Sequence, residues 1–371
     1  MILVNPAKAI KVNPLLGGTQ KLYRCFSGIG WSKYVELTID HTQLAADVSD
    51  HTLLIQDTAA LALMPASFWT TVQADGGDIV VVDARSGRHF HRELEYINTA
   101  GGSEALALHV RMPNVSSARD EVLRIYYGNA SANEPNESMA WASHWKFVSH
   151  MADNPADATQ ILDSTRNNNF GTKGAGAAAP TEVAGTVGRA QQGLDQAASI
   201  TVADHASLRL TGDMTIIQVY RAADYAPTLY LVQKNSAKEF GANNQGTTNA
   251  KGRIRFYHGD GALESLLDAS GVIATEGTWN VLGIVRSMTA QRAYLYESGA
   301  LKSTGAVFTK TPIAGTDNVR LMGGTGTFTV THETCELRLS SVALGAEENK
   351  LIYQAYLTPA TLYGYGTEQS V

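Results

Sequence analysis

Short runs of alternating or β-branched residues, each closed by a turn-forming cluster, recur along the sequence and constrain it to fold as sheets. Tyr34-Val35-Glu36-Leu37-Thr38-Ile39-Asp40 alternates apolar and polar positions. Ile79-Val80-Val81-Val82 is a continuous apolar run between Gly76-Gly77-Asp78 and Asp83, the pattern of a strand covered on both faces. A strand from His89 to Ile97 follows Ser86-Gly87, and one from Ala105 to Met112 is stopped by Pro113. Leu123, Ile125 and Tyr127 share one face of a strand ending at Gly128-Asn129. The 34 glycines against 10 prolines fit a chain with many tight turns.

Further on, strands are predicted over Ser207–Leu210, Met214–Tyr220, Arg253–His258, Val281–Val285 and Ala293–Tyr296. Glu347-Glu348 precede Leu351, Ile352, Ala355 and Tyr356 at helical spacing, with the acids where they complement the helix dipole. The chain's 371 residues exceed one typical core. The polar, proline-containing stretch 129–140 is the natural break. The expected division is an extended N-terminal arm over 1–30, interrupted by Pro6, Pro14 and Gly17-Gly18, a β-sandwich over 31–132, a linker over 133–140, and a second β-sandwich with a short C-terminal helix over 141–371. The fold class is all-β, with two jelly-roll-like sandwiches behind an arm.

Charge narrows the partners. A net charge of −6, a pI near 5.9 and no Lys/Arg run longer than two exclude the basic face that nucleic-acid binding requires. No stretch reaches the roughly 18 apolar residues of a membrane span. The apolar run Met1–Val4 is too short for a signal peptide, which sets the expectation of synthesis in a cytoplasm. Cys25 and Cys335 form no disulfide framework, and Cys335 alternates into the apolar side of its strand.

No motif carries catalysis. Glycoside hydrolysis needs two carboxylates flanking a bond, as E-x-D-x-x-E on a strand would supply, and that pattern is absent. Glu93-Leu94-Glu95 does place two acids on one face, read as a solvated strand edge. His89-Phe90-His91 offers two metal ligands beside Glu93 without a well-spaced further ligand, and His332-Glu333-Thr334-Cys335-Glu336 lacks the second histidine of a zinc helix. No catalytic residue and no metal site is therefore assigned. Asp153, Asp157 and Asp163 are the only candidates for Ca²⁺ ligands. Trp145 and Trp279 are expected in the core. The polar stretch Asn235 to Gly252 supplies the ligand-binding candidates, Asn235, Asn243, Asn244 and Gln245, whose amides suit sugar hydroxyls.

Two resemblances follow from these residues. Trp31 to Asp40, Asp75 to Asp83, His109-Val-Arg-Met-Pro113 and Ile125-Tyr-Tyr-Gly-Asn129 resemble, in that order, the DUF2341 family, a β-sandwich module of unknown biochemical role; Leu108 stands where that family usually has an aromatic. Trp145-Lys-Phe-Val-Ser-His150-Met with Asp163-Ser-Thr165, Gly188-Arg-Ala-Gln-Gln-Gly-Leu-Asp195, Gly277-Thr-Trp279 through Tyr296-Glu-Ser-Gly299, and Cys335-Glu-Leu-Arg-Leu with Glu347-Glu348 resemble a LamG-like, concanavalin A-like lectin domain. The pair implies a non-enzymatic bacteriophage virion protein of the tail tip, fibre or baseplate. It would attach to other virion proteins through residues 1–30 and the first sandwich, form a homo-oligomer (a trimer favoured), and display the lectin-like domain to a host-surface glycan or pilus. The alternatives are a capsid decoration or stabilising protein and, as a minor one, a carbohydrate-active enzyme.

Overall fold

A computed structural model describes residues 26–176, 179–195, 197–225, 228–245, 252–269, 271, 275–324 and 329–371. The proposed arm, with Cys25, lies almost entirely outside the described residues. Among them the chain is all-β, built of antiparallel sheets that stack in four layers.

Sheet I runs Tyr363–Tyr365, Lys33–Ile39, Glu121–Tyr127, Val80–Asp83, with Gln369–Ser370 also pairing Lys33–Ile39. Val35, Leu37, Ile39, Leu123, Ile125 and Tyr127 form its inward face, as their alternation predicts. Sheet II runs Val48–Thr58, Ala105–Val115, Arg92–Asn98. The expected stop at Pro113 does not occur. Arg111 donates its amide to the His91 carbonyl at 3.0 Å, so the odd residues of this strand point their amides toward the neighbour Arg92–Asn98. That neighbour's pairing ends at Val110, and the missing N–H of Pro113 falls beyond it and breaks no ladder bond.

Sheet III orders Thr181–Ala184, Arg189–Asp195, Thr329–Ser340, Met214–Ala222, Asn280–Ser287, Arg292–Glu297 and Ala300–Thr304, with Trp145–Ser149 also pairing Thr329–Ser340. Sheet IV orders Leu263–Ala269, Ile254–Gly259, Phe240–Gln245, Thr228–Lys234, Val319–Leu321, Ile200–Val202, Gly171–Lys173, Asp157–Ile161 and Asp153–Asn154. Residues 145–195 contribute short strands, while Ser207–Leu210 is not a strand and overlaps the 3₁₀ turn Ala206–Leu208.

Sheet III is buried on both faces. Ile216, Leu282, Leu337 and Phe147 enter the core shared with sheet IV, while their neighbours Ile217, Val281 and Val148 enter a core continuous with the first sandwich. The helix Ala346–Leu357 wedges between sheets II and III, with Leu351, Ile352, Ala355 and Tyr356 in that same core. Gly283 makes room for it, since a Cβ there would lie 1.8 Å from the Asn349 side-chain oxygen.

Two parts of the expected division differ. The last strands, placed in the second unit by sequence, complete sheet I of the first: Leu37 pairs Tyr365, and Tyr34 pairs Gln369. Glu368 fastens them, accepting from Lys33 Nζ at 2.6 Å, Ser67 Oγ at 2.5 Å and Tyr127 Oη at 2.5 Å. The segment 133–140 is no free tether either. Asn136 accepts from the Leu94 amide at 2.8 Å and donates to the Leu94 carbonyl at 2.9 Å, imitating a peptide against the strand edge. Ala140 is fully buried and its carbonyl accepts from Thr52 Oγ1 at 2.7 Å. No helix of the described residues is long and apolar enough to cross a membrane.

Candidate functional site

The open face of the second sandwich is the outer side of sheet IV, because sheet III is covered. Strand alternation sends Ile254, Phe256, Ala242 and Val232 inward and leaves Arg255, Tyr257, Asn243 and Gln233 outward. The pairing register aligns the outward residues into rows. Thr172, Thr201, Arg320, Gln233, Gly241 and Tyr257 follow one another across six adjacent strands. A parallel row joins Tyr230, Asn243, Arg255 and Asp268. At strand spacing the first row extends roughly 24 Å. Arg320 lies over the Tyr230 ring at 5.3 Å, which ties the rows together. Arg253 and Arg255 both meet Asp268, whose carboxyl these guanidinium hydrogen bonds hold below its ordinary value. The result is a face of amides, hydroxyls, guanidinium groups and two tyrosine rings.

The four sequence candidates separate on this scaffold. Asn243 stands on the outer face, but its side-chain oxygen is buried and has no hydrogen-bond partner among the described residues. Asn244 turns inward and is fully buried, donating to the Tyr225 carbonyl at 2.9 Å, so it holds the fold and is corrected as a ligand residue. Asn235 occupies a left-handed turn position with φ of 49° and donates to Asp317 at 2.9 Å, away from the rows. The side chain of Gln245 and the residues 246–251 lie outside the described residues. The stretch read as a polar loop begins as the strand Phe240–Gln245, which is why its amides alternate in direction. Arg255 and Tyr257 were legible in sequence as one strand face but, like Tyr230, were not named as ligand residues; the signal was their alternation with apolar neighbours.

The acids Asp153, Asp157 and Asp163 do not converge. Asp163 accepts backbone amides of Val148, Thr165 and Asn169, Asp153 pairs Lys173 at 2.7 Å, and Asp157 accepts from Thr159. Trp145 is buried in the core, while Trp279 is partly buried beneath Arg221 at 4.8 Å. His91 meets Glu137 at 2.5 Å.

Glu93 and Glu95, by contrast, are not a solvated edge. Their side chains keep only 14% and 4% of their exposure, because sheet II presents that face to sheet III. Glu93 accepts from Trp141 Nε1 and, at 2.6 Å, from Ser164 Oγ. Glu95 lies 2.8 Å from His109 Nε2 and 3.4 Å from His150 Nδ1. His150 Nδ1 meets Glu336 at 2.7 Å, and Arg338 closes the cluster with Glu336 at 2.6 Å, Tyr356 Oη at 3.0 Å and the Trp141 ring at 4.7 Å. Burial, reinforced by Glu336 and Glu93 and opposed by His150, pushes the Glu95 carboxyl up to about 7. Burial alone would lower His150, but the surrounding carboxylates hold it well above its ordinary value, while burial and the neighbouring cations lower His109.

Donor atoms of Glu95, His109 and His150 lie within 4.8 Å of one another. An ion must sit near the plane of each imidazole that binds it. Here the two rings stack with centroids 4.5 Å apart and planes 17° from parallel, so their lone pairs do not meet at one point. The arrangement suits hydrogen bonding rather than coordination. A polar cavity of about 490 Å³ opens behind Glu95, lined also by Asp75, Arg92, Tyr96, Glu134 and Asn136.

No family model matches the chain, and no curated protein matches it. Among solved structures it is similar to the binding domain of Paraclostridial Mosquitocidal Protein 1, at 14% identity and a TM-score of 0.47 over 58% of this chain and 53% of that one. It is also similar to the binding domain of botulinum neurotoxin DC in complex with SialylT, at 10% identity and a TM-score of 0.46 over 58% and 52% of the two chains. A third is the botulinum neurotoxin serotype G binding domain, at 14% identity and a TM-score of 0.44 over 56% and 50%. The match spans about half the length of each of those domains.

Proposed function

We propose that the chain is a non-enzymatic binding component of a bacteriophage virion, anchored through residues 1–30 and the first sandwich and presenting the outer face of sheet IV to a host-surface glycan. The observation that carries this reading is the open polar and aromatic face, set opposite a sheet that the first sandwich and the C-terminal helix cover. Tyrosine rings offer flat apolar surface with a polar edge, and the arginines offer directional hydrogen bonds, a combination suited to sugars. A glycosidic bond has no way to Glu93, whose carboxylate is occupied by Trp141 and Ser164.

Arrays of bacterial surface polysaccharides probed with the multimerised full chain test the binding. Retention of an extended polysaccharide is expected, with Tyr257→Ala and Arg255→Ala each weakening it about tenfold, the size of one lost contact of about 1.4 kcal/mol. Absence of binding to every host polysaccharide, or binding indifferent to both substitutions, overturns it. Antibody labelling of intact phage particles, read by electron microscopy, tests the virion assignment separately.

A further inference from the structure

Three carboxylates, two imidazoles and one guanidinium meet where sheet II faces sheet III. Glu93, Glu95 and His109 come from the first sandwich, and His150, Glu336 and Arg338 from the second. Tyr356 of the wedged helix and the thiol of Cys335 also face the cluster and are neutral there, since burial raises both. Arg338 balances one carboxylate, and His150, as an imidazolium touching all three carboxylates within 3.5 Å, balances a second. One negative charge remains, and a buried unpaired charge is costly. The 2.8 Å contact between Glu95 and His109 Nε2 is met by neutral His109 donating its own Nε2–H, which leaves that charge in place; one further proton taken up by the pair cancels it whichever of the two holds it.

We propose that the two sandwiches dock with uptake of protons, one on His150 and one shared by Glu95 and His109, so that raising the pH loosens the interface. The cavity behind Glu95 gives water a route to the shared proton.

The directions of the individual groups agree. Glu95, raised to about 7, favours docking below its unfolded value and loses that contribution as pH rises through 7. His150, held well above its ordinary value, contributes fully below about 6.5 and loses that contribution as pH rises beyond it. His109, lowered, opposes docking below about 6.5 and is indifferent above, and Glu336, lowered, weakens docking only as pH falls below its ordinary range. From about 6.5 upward the balance therefore runs one way, with docking weakening by up to tenfold per pH unit for each proton released.

Cys335 reports the opening, being 1% exposed in the core that joins the sandwiches. Its alkylation in the full chain, resolved by peptide mass spectrometry from that of Cys25, is divided at each pH by the rate in the urea-unfolded chain, which removes the thiol's own ionisation. Between pH 6.5 and 8.5 the normalised rate is expected to climb by up to about tenfold per unit. Glu95→Gln, nearly isosteric, flattens the climb around pH 7, and His150→Gln flattens it above. A flat wild-type profile, or a Glu95→Gln profile as steep as wild type, overturns the proposal. The wild-type profile and Glu95→Gln decide it even if His150→Gln does not fold.

Discussion

Arg338 shows what one residue does at a boundary between folded layers. Fully buried, it satisfies Glu336 and Tyr356 while its guanidinium lies over Trp141 at 4.7 Å and Trp145 at 5.8 Å. Truncating it leaves Glu336 as a buried charge with one cation fewer. Arg338→Ala is expected to cost about 3–5 kcal/mol in urea unfolding, and the double replacement Glu336→Leu/Arg338→Met to recover much of that loss. At this scale the sequence was half legible. That Glu93 and Glu95 share a face followed from alternation. That the face is buried did not, because its partners His150, Glu336 and Arg338 are far along the chain and no local pattern links them. Asn244 was misjudged for the converse reason: adjacent amides on a strand point in opposite directions, and only one of the pair can meet a ligand.

Among the elements, the helix Ala346–Leu357 was legible from its spacing and from Glu347-Glu348, and the strands around Tyr34, Val81 and Ile125 from their periodicity. The strand Val48–Thr58 was missed; in sheet II it is buried along most of its length, so Leu53-Leu54-Ile55 carries no alternation. Tyr363–Tyr365 and Gln369–Ser370 are too short to announce themselves. Their attachment makes a test. Hydrogen bonds from Lys33, Ser67 and Tyr127 outweigh burial and hold the Glu368 carboxyl at about 2. A lowered carboxylate stabilises above its unfolded value and loses that contribution as pH falls toward 2. Glu368→Gln is therefore expected to lower Tm at pH 7 and to shrink the difference from wild type as the pH falls below about 4, read by thermal melts across pH. Close approach of the helix gives a second test: Gly283→Ala, which sets a methyl against Asn349, is expected to destabilise by about 1–3 kcal/mol in urea unfolding.

For the whole molecule, the sequence reading joined two sandwiches by a linker over 133–140 and did not anticipate the core they share. One apolar cluster runs from Val35 and Leu53 through Trp141 and Ile217 to Tyr356 and Tyr363, so the interface is a core and not a contact between finished surfaces. A single calorimetric transition covering the first sandwich and sheet III is expected, with calorimetric and van't Hoff enthalpies in agreement. A separate early transition of residues 26–132 would contradict the shared core. The segment 133–140, bonded along the edge of sheet II, is expected to resist proteolysis under native conditions.

The closing of sheet I by Tyr363–Tyr365 and Gln369–Ser370 reverses the order of birth and of completion. A ribosome delivers Lys33–Ile39 early, yet the two strands that flank it on its open side, and the Glu368 carboxylate that Lys33 and Tyr127 await, arrive more than 300 residues later. The first sandwich is thus completed by strands that come after the second in sequence. Until those strands arrive it exposes an unpaired edge, at Leu37 to Ile39, of the kind that recruits a neighbouring strand.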